Sequence, residues 1–203
     1  MIIMSLSALV MIALINREGV DTTAAYGTLT QLWNYVSMPA VAVGSAVSAM
    51  AAQNIGANRW DRVGRIAWAG SGINIAMSAS ILGAMTLFAR PILSLFLPEA
   101  DAAVAIAIHV NYMIGWTFVV MGVSMVVTFL VRANGAVIWP LIILIISAVF
   151  VRFSIGFGLY DRMGAEAIWW AFIATSVTSM LMSVAYYKWG GWRSLSPMGR
   201  GPA

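Results

Sequence analysis

Few side chains in this sequence could do chemistry, and most of them lie inside long apolar runs. Gln31, Asn34 and Tyr35 fall within about one helical turn, with Met38 and Pro39 following. Residues spaced by three and four share one helix face, so two amides and a phenol here can line a polar cavity for a substrate. The same groups can instead bond to a neighbouring helix. Pro39 withholds one backbone donor and frees a carbonyl, which a cavity or water can satisfy. Asn111, in a later run, is a further candidate for that cavity. Arg152 lies about two thirds of the way along another run, where it can snorkel outward, pair with Asp161 or gate a path. His109, the one histidine, sits at the start of its run and reads as a solvated interfacial group.

The absences are as informative. No carboxylate lies deep in any apolar run, and there are no cysteines. No acid pair, nucleophile triad or metal-ligand cluster can be assembled, so the sequence points away from an enzyme, a metal site or a cofactor. The turn AAQNIGANR matches neither a P-loop nor a dinucleotide fingerprint. In it, Gly56 is expected to end a helix in the left-handed conformation. Gln53 and Asn54 are expected to cap the last carbonyls or tie the turn to the neighbouring Arg132–Gly135 loop.

The elements that must position these groups follow from composition. Of 203 residues, 62% are hydrophobic and 9% charged, against roughly 25% charged in soluble domains. A net charge of +4 is spread over short loops without interleaved aromatics, which excludes a nucleic-acid partner. Six apolar segments emerge: residues 1–15, 26–52, 63–87, 103–131, 137–159 and 165–187. The first is short of the roughly 20 residues that span a bilayer and reads as a partial helix. The others are long enough to cross, and in hydrocarbon they must be helical. The expected fold is an all-α polytopic membrane protein, with residues 188–203 as a tail.

Lys and Arg give the orientation. Arg59, Arg62, Arg65, Arg132, Lys188, Arg193 and Arg200 fall on one side of six crossings, and Arg17, Arg90, Arg152 and Arg162 on the other. The AAQNIGANR turn and the C-terminus are therefore expected in the cytoplasm, with Arg59, Arg62 and Arg65 near anionic lipid headgroups. Trp60, Trp139, Trp189 and Trp192 are expected as anchors at the cytoplasmic edge, and Trp33, Trp169 and Trp170 at the outer one. The small residues Ala40, Ala42, Gly44, Ala46, Ser48 and Ala49 read as a packing surface.

The stretch MPAVAVGSAVSAMAAQNIGANRWDR resembles the multidrug and toxic compound extrusion family, in which a proline-bearing helix runs into a Gln-Asn-x-Gly-Ala turn. GVDTTAAYGTLTQLW, RANGAVIWP, GAEAIWWAF and AYYKWGGWR follow in the matching order. The resemblance implies the C-terminal six-helix lobe, helices seven to twelve, of a twelve-helix inverted-V transporter, with helix seven truncated. It implies alternating access against an N-terminal lobe and efflux of small cationic or amphipathic substrates coupled to H⁺ or Na⁺. By the same resemblance Gln31, Asn34 and Tyr35 line the central cleft, and the coupling ion binds in the other lobe. The first and fourth segments, SLSALVMIALI and GWTFVVMGVSMVV, lack the acids that sodium-coupled relatives carry there. A flippase-like exporter of amphipathic or lipid-linked substrates would share these helices. A non-transporting scaffold would instead bury Gln31 and Asn34 in packed helix contacts.

Overall fold

The computed structural model describes residues 2–98 and 100–194, and every element among them is helical. Helix α1 (Ile2–Ile15) is followed by a 3₁₀ turn (Asn16–Glu18), α2 (Val20–Gly56), α3 (Trp60–Leu87) and a short α4 (Ala89–Phe96). Then come α5 (Asp101–Arg132), α6 (Ile138–Ile145), a π-helical stretch (Ile146–Val151), α7 (Arg152–Met163), α8 (Ala165–Trp189) and a closing 3₁₀ turn (Gly191–Ser194). Five helical stretches are long and apolar enough to cross a membrane: α2, α3, α5, α8 and the continuous Ile138–Met163. The six expected crossings thus become five spans and one short helix. At 1.5 Å per residue the 14 residues of α1 reach only about 21 Å.

Several of the breaks between helices fall where the backbone turns left-handed. Gly19 (φ 102°) and Gly164 (φ 57°) separate α2 and α8 from what precedes them. Between α2 and α3 that residue is Asn58 (φ 57°), not Gly56, which ends α2 in regular helix. Asparagine tolerates this region because its short amide bonds locally, and here its Oδ1 accepts a 3.0 Å bond from Trp60 Nε1. The last carbonyls of α2 are met by backbone donors instead, Ala57 N to Gln53 O, Arg59 N to Asn54 O and Asn58 N to Ile55 O, while Asn54 Nδ2 donates back within the helix to Met50 O at 2.8 Å.

Helix α5 is central, packed against α2, α3 and α8. Small residues let these backbones approach. A Cβ on Gly122 would stand 2.5 Å from Asn74 Nδ2, and one on Gly70 would collide with Val47 Cγ2. Gly122→Val is therefore expected to cost about 1–3 kcal/mol through overpacking, read as a lower thermal midpoint in detergent. The small-residue series of α2 splits in two. Ala40 and Gly44 are buried as expected, but Ala42, Ala46 and Ala49 are exposed, Ala46 on the wall of a cavity between α2 and α3.

Basic residues concentrate at one end. Arg59, Arg62 and Arg65 share one end with Arg132, Lys188 and Arg193, where Trp60 meets Trp192 edge-on at 5.8 Å. At that end Asn134 Nδ2 donates to Trp192 O at 2.6 Å, binding the α5–α6 loop to the closing turn. At the other end Tyr160 donates to Glu18 Oε1 at 2.6 Å, Arg90 approaches Asp101 at 3.8 Å, and His109 approaches Glu166 at 4.0 Å. Three of the expected tryptophan anchors are core residues: Trp33, Trp169 and Trp192 are buried, because each ring has aromatic neighbours inside the bundle. The remainder of the expected tail, residues 195–203 with Arg200, lies outside the described residues.

Candidate functional site

Helix α2 presents two unlike faces. Leu29, Leu32, Trp33, Val36, Pro39 and Ala40 pack into the bundle. Gln31, Asn34, Tyr35 and Met38 share the opposite face, with Tyr35 49% and Met38 58% exposed. The stripe continues through Ala42, Ser45, Ala49 and Gln53, all exposed at helical spacing. Pro39 points inward within this helix, so Tyr35 O lacks its usual helical donor. Beside it, Ser78 Oγ donates to Val36 O at 3.3 Å, a bond from α3 that fixes the proline-bearing turn.

Asn111 is not part of this face. It is 3% exposed, its Oδ1 accepts from Trp33 Nε1 at 3.2 Å, and its Nδ2 donates to Thr86 Oγ1 at 3.4 Å. This corrects the cavity assignment: Asn111 joins α2, α3 and α5, and its neighbour Trp33 stacks on Phe118 at 4.9 Å. Asn111→Leu is expected to cost about 1–2 kcal/mol, since it strands a buried indole N–H. A cavity role would instead change substrate handling at constant thermal midpoint.

Arg152 does not snorkel, nor does it form an ion pair with Asp161, which is exposed. It is 9% exposed, at the junction between the π-helical stretch and α7. Its Nε donates to Thr175 Oγ1 and its Nη1 to Ser7 Oγ, both at 3.4 Å, and its guanidinium lies 4.5 Å from the Phe172 ring centroid. Ser7 in turn donates to Ala148 O at 2.8 Å, a carbonyl of the π-helical stretch. These contacts border a cavity of about 240 Å³ between α5, α6, α7 and α8, with Arg132 also on its wall. Its hydroxyl lining was visible only as spacing: Thr175, Ser179 and Ser183 recur every fourth residue along α8. A second cavity of about 630 Å³ lies between α2 and α3 at the basic end, with Asn54, Arg62 and Arg65 among its lining residues.

Five membrane-length helices carrying an uncovered polar stripe and a buried cation define a multi-pass α-helical membrane protein. The chain belongs to the MatE family, whose model matches residues 1–157. It is 34% identical over 190 residues to the "Probable multidrug resistance protein YoeA" of Bacillus subtilis (strain 168), an alignment covering 93% of this chain and 41% of that protein. It is 27% identical over 197 residues to the "Probable multidrug resistance protein YpnP" of the same organism, covering 96% of this chain and 44% of that protein. The chain thus spans less than half the length of either curated relative. No solved structure matches it at a significant level.

Proposed function

We propose that this chain is one lobe of a secondary active multidrug efflux transporter in the cell membrane. In this reading it works by alternating access against a second six-helix lobe. Its substrates are small and cationic or amphipathic, and H⁺ or Na⁺ drives their export. The observation that carries this reading is the exposed face of Gln31, Asn34, Tyr35 and Met38 on a helix long enough to cross the membrane. Hydrocarbon cannot satisfy two amides, so the face belongs against water, substrate or a partner lobe. A scaffold reading favours these amides packed between helices, whereas within this chain both are exposed. Family membership and two relatives named as multidrug resistance proteins point the same way.

The coupling ion fits better in the partner lobe, because no carboxylate of this chain lies deep in a span. The basic end, with Arg59, Arg62, Arg65, Arg132, Lys188 and Arg193, is the cytoplasmic one by the positive-inside rule. There Gln53, Asn54, Gly56 and Arg132 stand where an intracellular gate would close. The test is dye efflux from a drug-sensitive, efflux-deficient host expressing the full-length gene product. Cation-dependent export of a cationic dye is expected. Export indistinguishable from the empty-vector host, with protein present in the membrane, refutes the transporter reading.

A further inference from the structure

We propose that the cavity beside Arg152 is an anion-binding site, taking one carboxylate or phosphate group in the interior of the lobe. Counted along Ile138–Met163, Arg152 lies about 21 Å from one end and about 16 Å from the other, near the middle of the span. A charge at that depth is costly and is normally paired, and a guanidinium does not shed its proton to escape the cost. Yet the two ion pairs among the described residues lie elsewhere, Arg90 with Asp101 and His109 with Glu166. The partners of Arg152 are neutral: two hydroxyl oxygens at 3.4 Å and the face of Phe172. They occupy two of the five N–H donors of a guanidinium and leave its charge uncompensated.

The space beside it has the right chemistry for the missing counter-charge. About 240 Å³, at roughly 30 Å³ per water, admits a carboxylate or phosphate with a few carbons attached. Ser147, Ser176 and Ser179 line it together with Arg152, while Met125 and Leu144 supply apolar wall. Serine hydroxyls rotate and can donate to an anion. The π-helical stretch ending at Val151 sets where Arg152 projects, and such stretches recur at functional sites. The proposal is independent of the transport reading, since binding is measurable on a protein that moves nothing.

The test is thermal unfolding of the full-length gene product, purified in a neutral detergent, with graded sodium acetate or sodium phosphate at matched ionic strength. A parallel arm uses nanodiscs of phosphatidylcholine with and without phosphatidylglycerol. Wild type and Arg152→Lys should show a saturable rise in midpoint. In Arg152→Gln the half-saturating concentration should rise at least about tenfold. Ser179→Leu keeps the cation but fills the cavity, so it should lose the response while still folding, which covers the case that Arg152→Gln does not fold. A response to the free anions identifies a soluble ligand, and one confined to phosphatidylglycerol identifies a lipid headgroup at the same site. Absence of a saturable response in both arms overturns the proposal. So does a response that Arg152→Gln or Ser179→Leu retains at wild-type strength.

Discussion

Replacing Gln31 and Asn34 together by leucine should lower the rate of cationic-dye efflux about tenfold or more while leaving the thermal midpoint almost unchanged. Both side chains are exposed, so the buried contacts of α2 survive the change. Surface substitutions of this kind usually shift stability by no more than about 0.5 kcal/mol. A tenfold loss corresponds to about 1.4 kcal/mol, the scale of one or two hydrogen bonds to substrate or cleft water. Leucine is preferred to alanine because it fills the same space while removing the donors and acceptors. If the two amides bonded a neighbouring element instead, efflux and thermal midpoint would fall together. Measuring transport per folded molecule separates the two outcomes.

Trp192→Ala should be the most damaging single substitution for stability, costing about 3–5 kcal/mol. Trp192 is fully buried, its Nε1 donates to Tyr187 O at 2.8 Å, and its ring stacks on Tyr187 at 5.5 Å. Its carbonyl accepts the 2.6 Å bond from Asn134, and Trp60 leans edge-on against the ring. Truncation therefore opens a cavity and loosens the closing turn from the α5–α6 loop. A lower thermal midpoint in detergent checks this, with Trp189→Ala as the control because Trp189 is 81% exposed. Were Trp192 an interfacial anchor, the two variants would behave alike.

Trp192 also illustrates what a sequence of this kind conceals. The all-helical character was legible because a long apolar run in hydrocarbon must satisfy its backbone internally. The face of Gln31, Asn34, Tyr35 and Met38 was legible because spacing along a helix fixes which residues point together. Spacing does not say which helix lies opposite. The sequence could not tell that Trp33 would find Asn111 across 78 positions, nor that Ala42 and Ala49 would be left exposed. Composition places a tryptophan near a membrane edge, but burial depends on whether a loop folds back over it, as Gly191–Ser194 does. Arg152 was conspicuous as a charge, yet its turn inward depends on the π-helical stretch and on Ser7, 145 positions away. At the α2–α3 turn, glycine was the expected left-handed residue because it adopts that conformation freely. Asn58 serves instead because Trp60 bonds its side chain.

In the transporter reading, the polar face of α2 borders a water-filled cleft. The chain has no cysteines, so single cysteines report directly on it. Placed at Asn34, Met38 and Ser45 of the full-length product, and at Ile75 and Ile81 of α3 for comparison, they can be reacted with a membrane-impermeant maleimide. Labelling requires the thiolate and therefore water. The expected result is labelling at positions 34, 38 and 45 at least about tenfold faster than at 75 and 81, slowed by a transported cation. Equal, slow labelling at all five positions would place the face of Gln31 and Asn34 against lipid or packed protein and contradict the account.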